Sequence, residues 1–182
     1  MRKSFVPEDL VINKAEDLKA LYDTLLQTEV ASEADLRNFL LDVSDLESFI
    51  SEDMAWRYIR MTCDTQNKDH ENAYLQFVQH IQPELAPLED QLNQKIVGIP
   101  YWESLLNEES FAIYYRSLKS AVELFREENI ALQAEVSTLA QEYSAAQGAM
   151  SIEWEGEKIT LQQASNLLLQ TDSEIRKKAW LL

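Results

Sequence analysis

Apolar residues recur through most of this chain at steps of three and four, the spacing that lines one face of an α-helix. The pattern is longest between Ser32 and Ile96. Its first part runs Leu36, Phe39, Leu40, Val43, Leu46, Ile50, Met54, Tyr58 and Met61. Its second part runs Tyr74, Val78, Ile81, Leu85, Leu88, Leu92 and Ile96. The segment TCDTQN, Thr62 to Asn67, breaks the rhythm and reads as a turn. A short turn makes the two arms antiparallel neighbours, packed stripe to stripe. Each arm exceeds the mean globular helix of about 11–12 residues. Ser32 suits the N-cap of the first arm, with the Asp35 carboxylate at the positive helix end. Pro83 and Pro87 fall inside the second arm, where each removes a backbone hydrogen bond. The apolar phase continues across them, which predicts a bend and not a stop.

The flanking segments are read the same way. Residues 1–13 form an extended leader, since Pro7 disfavours helix at Val6. A helix over Lys14 to Val30 presents Leu18, Leu21, Tyr22, Leu25 and Leu26 on one face. Gly98 and Pro100 close the hairpin, and a short segment covers Tyr101 to Leu106. A helix from Glu108 to Arg126 turns Phe111, Tyr114, Tyr115, Leu118, Val122 and Phe125 inward. After the break REENIAL, a helix from Ala131 to Gln147 turns Leu132, Val136, Leu139, Ala140 and Tyr143 inward, with Gly148 at its C′ position.

The period then changes to two. Met150, Ile152 and Trp154 alternate with polar residues, Gly156 marks a turn, and Ile159 and Leu161 continue the alternation, so this is a β-hairpin. Thr160 with Gln163 and Thr171 with Glu174 have capping-box spacing and open two helices, one through Leu169 and one reading DSEIRKKAWLL. The last helix finishes on Ala179, Trp180, Leu181 and Leu182 with no C-cap glycine, and the expectation is a chain that is part of a longer one. The fold expected is mainly α: a helical bundle on a long antiparallel hairpin, with one small β-hairpin near the C-terminus. A helical lobe over 1–147 precedes 148–182, the hairpin and the start of a further helical region.

Composition narrows the class. Three glycines and four prolines in 182 residues favour helices over loops and sheets. A formal charge of −16 repels phosphates and anionic lipid, so neither nucleic acid nor membrane is an expected partner. The single cysteine, Cys63, permits no intrachain disulfide and fits a reducing compartment; a cytoplasmic location is expected. Cys63 reads as a buried structural thiol. No apolar run reaches the roughly 18 residues of a membrane span.

Candidate chemistry is sparse. His70-Glu71-Asn72-Ala73-Tyr74 approaches the zinc motif HExxH but has Tyr74 where the second imidazole belongs, and His80 is ten residues from His70. Three scattered glycines form no phosphate loop. Glu108/Glu109 and Glu127/Glu128 are adjacent residues that diverge around a helix and read as surface charge. Asp42, Asp45, Glu47, Glu52 and Asp53 read as the solvated face of the first arm. Arg176, Lys177 and Lys178 suit the dipole of the last helix. Trp56, Trp102, Trp154 and Trp180 read as core or interface, Trp154 and Trp180 especially as interface. The sequence assigns no catalytic or metal-ligating residue and leaves substrate-contacting residues unknown.

Four segments in order resemble the N-terminal region of the oligoendopeptidase F family of zinc metallopeptidases: AWRYIRMTCDTQN (Ala55 to Asn67), QHIQPELAPLEDQLNQKI (Gln79 to Ile96), LFREENIALQAEVSTLAQEY (Leu124 to Tyr143), and the stretch from Gly148 to Trp180. The sequence departs from the family pattern at Asp172-Ser173, where an Asp-Arg pair is expected before Arg176. The resemblance implies a hollow helical protein whose zinc-binding HExxH helix lies in a C-terminal half, and which cleaves short peptides. On that reading this chain supplies one wall of the substrate channel and is inactive alone. Its partners are the C-terminal catalytic region of the same polypeptide and oligopeptide substrates, and zinc belongs to the parent protein. Two alternatives stand beside it: a helical interaction module without enzymatic activity, and the lobe of a pseudo-peptidase.

Overall fold

The computed structural model describes residues 3–181; Met1, Arg2 and Leu182, which belong to the leader and the apolar end above, lie outside them. The described residues are mainly helical with one two-stranded sheet, as the periodicities predict. It divides into two compact units, Met1–Val136 and Ser137–Leu182, with the division inside one helix.

The first unit is built on the hairpin. Helix α1 spans Glu16–Gln27, α2 Glu33–Cys63, α3 Lys68–Gln76 and α4 Gln82–Gly98. The Ser32 hydroxyl accepts from the Asp35 amide at 3.1 Å, and the Asp35 carboxylate accepts from the Ala31 amide at 3.2 Å, closing the first turn of α2. At the hairpin turn, the Asn67 side chain accepts from the amides of Asp69 and His70 and starts the return arm. The facing stripes form the core: Leu36, Phe39, Val43 and Leu46 from α2, and Leu85, Leu92 and Ile96 from α4 are buried. Leu18, Tyr22 and Leu25 of α1 join the same cluster. Tyr58, placed on the stripe by spacing, is half-exposed at the end of the arm, with its ring 5.9 Å from that of Tyr74.

Just before the prolines the second arm departs from regular α-helix. Residues Phe77–Ile81 make a π-turn that joins α3 to α4. Pro83 has no N–H to offer the carbonyl one turn back, and its ring crowds that carbonyl; the wider turn just before it relieves both problems. The extra residue in the turn brings Phe77, Val78 and Ile81 all into the core. Pro87 sits within α4 without ending it.

Two cations, Arg57 and Lys95, tie segments together. Arg57 of α2 donates to the Ile12 carbonyl at 2.5 Å and the Ala73 carbonyl at 3.0 Å, while its Nε pairs with Asp53 at 2.6 Å. It thereby pins the leader, whose Val6 and Ile12 are buried, against both arms. Lys95 of α4 donates to the carbonyls of Leu25 (2.7 Å), Leu26 (3.0 Å) and Thr28 (2.5 Å). A cation on the last carbonyls of α1 ends that helix at Gln27, earlier than its apolar pattern predicts.

After Gly98, Trp102 enters the core, donates its indole N–H to the Ile96 carbonyl at 2.9 Å and packs against Tyr115. Helix α5 spans Glu109–Leu124 and buries Leu118. Helix α6 spans Glu128–Ala149.

Several expectations are corrected here. Cys63 is exposed, because two residues beyond buried Met61 a helix has turned about 200° to its other side. Gly148 lies inside α6 and is not its C′ residue. Leu132, Val136, Leu139 and Tyr143 face solvent and not the interior. The solvated acidic face of α2 is partly engaged: Asp45 accepts from the Phe5 amide at 3.0 Å and Asp53 holds Arg57. Trp56 is exposed on α2.

In the second unit, β1 (Ser151–Trp154) pairs antiparallel with β2 (Glu157–Thr160), Ile152 opposite Ile159. Glu155 (φ 51°) and Gly156 (φ 86°) form the connection, both left-handed as a two-residue I′ turn requires. The Thr160–Gln163 capping box is formed and opens α7 (Leu161–Leu167). Helix α8 (Ser173–Trp180) is capped by Asp172 and not by Thr171, since the Asp172 carboxylate reaches the Glu174 amide at 2.8 Å. Arg176 turns back to the carbonyls of Gln170 and Thr171, holding the α7–α8 connection. Trp180 is exposed and Trp154 half-buried.

Candidate functional site

The concavity with the most chemistry lies between α1, α2 and α4. Its volume is about 310 Å³. Leu46, Ile50, Leu85 and Leu92 give it an apolar floor, and Tyr22, Glu47 and Glu89 give it polar walls. The helical periods explain the arrangement. Glu47 follows stripe residue Leu46 and Glu89 follows stripe residue Leu88, so in antiparallel arms both carboxylates stand on one border of the packed stripes.

Tyr22 is buried, and its hydroxyl donates to Glu89 Oε1 at 3.4 Å. Burial raises the Glu47 carboxyl above its ordinary range, and the charge of Glu89 adds to this. Burial also raises Glu89, while the Tyr22 hydrogen bond opposes the shift. The Tyr22 phenol is pushed far up by burial and then by the two carboxylates, so it stays a donor. Both carboxyl groups retain water-accessible surface at the rim of the concavity, which moderates these shifts. Glu47 also borders a second hollow, of about 480 Å³, lined by Arg37, Leu40, Ser44, Phe111 and Tyr114. Burial and then the charge of Glu47 push the Tyr114 phenol upward.

This arrangement supplies acceptors and apolar contact. Neither hollow places a serine or cysteine beside an imidazole, the pairing nucleophilic catalysis needs. Tyr22 lies on the apolar face of α1 and Glu47 is exposed, as their spacing predicts; only the packing of the helices makes them neighbours. Glu108, read as surface charge, pairs with Arg37.

The near-motif at His70 fails in space as well as in spacing. Tyr74 is buried against Tyr58, and His70 Nδ1 is buried without a hydrogen-bond partner. Among the described residues no group of three or more His, Cys, Asp or Glu is placed to hold a metal ion. With Tyr74 where a second imidazole would stand, the donors of this segment fall short of a zinc ligand set.

A family model described as the Peptidase M3 N-terminal domain matches residues 7–125. The chain belongs to the peptidase M3 family. The M3 N-terminal domain takes in the leader from Pro7 on, the whole hairpin and α5, including Tyr22, Glu47 and Glu89, and it ends at the break before α6. The two later segments that resemble oligoendopeptidase F, in α6 and beyond Gly148, lie almost wholly outside it. No curated protein and no solved structure matches the chain. No helix among the described residues is long and apolar enough to cross a membrane.

Proposed function

We propose that this chain is the N-terminal lobe of a zinc-dependent oligopeptidase of the oligoendopeptidase F type. Its hairpin walls the channel that admits short peptides and excludes folded proteins. The observation that carries this reading is the M3 N-terminal match over 7–125, well over half of the chain. With two histidines and no HExxH here, the zinc ligands belong to a C-terminal catalytic region of the same polypeptide, which is this lobe's first partner. Residues 1–147 form the lobe and 148–182 lead toward that region. In the parent, zinc supplies an activated water. A cytoplasmic parent is part of this reading; the single cysteine of the chain supports it.

The test extends the reading frame past Leu182 and assays both proteins on a fluorescence-quenched peptide of about ten residues, with and without zinc. The parent should contain HExxH and cleave, and the 182-residue chain should not. Zinc-dependent cleavage by the chain alone would overturn the reading. A frame without HExxH would favour a pseudo-peptidase lobe, and a stop codon after Leu182 a helical interaction module.

A further inference from the structure

The hollow between α1, α2 and α4 carries negative charge that no cation of its walls answers. Glu47 and Ser51 stand one turn apart on α2, and Glu89 and Asn93 one turn apart on α4, so each pair shares a helix face. All four line the hollow, and no lysine, arginine or histidine does. The Tyr22 hydroxyl donates to one oxygen of Glu89 at 3.4 Å. Among the described residues Glu47 has no hydrogen-bond or salt-bridge partner. The cations of α2 and α4 are engaged elsewhere. Arg37 meets Glu33 and Glu108, Arg57 meets Asp53, and Arg60 lies over the Trp56 ring. Lys95 holds the carbonyls that end α1. Two carboxylates close enough to repel, over an apolar floor, are costly until an opposite charge meets them. A like-charge pair set in a concavity marks a ligand site.

The chemistry of the walls selects the ligand. Carboxylate, hydroxyl and amide oxygens accept, so the complementary group is a positively charged donor. An ammonium offers three donors and needs no acceptor: one each for Glu47 and Glu89, and one for the oxygen of Ser51 or Asn93. The floor of Leu46, Ile50, Leu85 and Leu92 calls for an apolar stem behind the charge. A volume of about 310 Å³ is at the small end for ligand sites and suits a stem of lysine's length.

We propose that the hollow between α1, α2 and α4 binds a primary ammonium on an alkyl stem, held by Glu47 and Glu89 with the stem against Leu46, Ile50 and Leu85. A free alkylamine and a lysine side chain share this chemistry. The site is complete within three helices of the chain and does not rest on the reading given under Proposed function.

The test is calorimetric titration of the 182-residue chain with n-pentylammonium at neutral pH and low salt. Binding should be about tenfold tighter or more than for pentan-1-ol, which lacks the charge, and for methylammonium, which lacks the stem. Glu47→Gln with Glu89→Gln should weaken it about tenfold or more, with the Tm unchanged or raised. Glu8→Gln with Asp9→Asn removes as much charge from the exposed leader and should leave the affinity as it was. An equal loss there would mean diffuse attraction to an acidic chain and overturns the proposal. In methyl NMR spectra the Ile50 and Met54 signals should move on titration, and that of Ile159 in the β-hairpin should not. Equal affinity for pentan-1-ol, no saturable binding, or shifts confined to other methyls also overturns it. A blocked tripeptide with a central lysine, set against its norleucine counterpart, separates the sources. Selective binding of the lysine peptide assigns a lysine side chain, and binding of pentylammonium without the peptide assigns a free amine.

Discussion

Helices α2 and α6 carry apolar residues at the same steps of three and four, yet they use them oppositely. In α2 the stripe faces a second stripe and disappears: Leu36, Val43 and Leu46 are at most 1% exposed. In α6 the residues at this spacing, Leu132, Val136, Leu139 and Tyr143, are each more than half exposed. The lesson is that periodicity specifies that a face must be covered and leaves open what covers it. The short turn at 64–67 supplies α2 with an antiparallel partner.

The comparison breaks most sharply under truncation. Leu36→Ala should cost about 3–5 kcal/mol, because the removed methyls leave a cavity in a close-packed core. Leu139→Ala should stay within about 0.5 kcal/mol, since the side chain is already hydrated. Urea unfolding followed by circular dichroism measures both; a large loss for Leu139→Ala would mean that α6 has a partner within the chain.

A smaller effect tests the ties that hold the hairpin side together. Lys95→Met keeps most of the stem and removes the ammonium from three carbonyls at the end of α1. The loss should be about 2 kcal/mol, since carbonyls facing a cation are left unpaired. Hydrogen exchange should rise first in the last turn of α1.

The smallest effect concerns Glu47. Its folded carboxyl is raised above the unfolded value by burial and by Glu89, so the folded state holds the proton more tightly. This contribution favours folding as pH falls through the raised value toward the ordinary carboxylate range, and it is lost above the raised value. Glu47→Gln should therefore raise the Tm slightly at pH 7, by the equivalent of about 0.5 kcal/mol or less given the exposed carboxyl. The gain should shrink near pH 4.5. A variant whose Tm falls at pH 7 would mean that the Glu47 charge is stabilising.

Most of the hairpin was legible in the chain. Ser32 at the cap, the turn before Asn67, the stop at Gly98 and the β-turn at Gly156 are all local signals, set by dihedral preference and nearby hydrogen bonds. The pocket was not, because Tyr22, Glu47 and Glu89 are each unremarkable in their own segment and meet only across three helices. Arg57 and Lys95 escaped for a related reason: their acceptors are backbone carbonyls, which every sequence supplies and none advertises. Cys63 is exposed where the end of the apolar stripe predicts burial, because the helix turns about 200° in the two residues past Met61.

What the sequence determined alone is the set of elements: where helices start, which side of each is apolar, and where the period changes from 3.6 to two. Those follow from short-range sterics and hydrogen bonding, which act within a few residues. Tertiary structure decided which apolar sides are satisfied and which polar groups become neighbours. Burial is a property of pairs of surfaces, and a stripe such as Leu132 to Tyr143 reads identically whether a partner lies against it or water does.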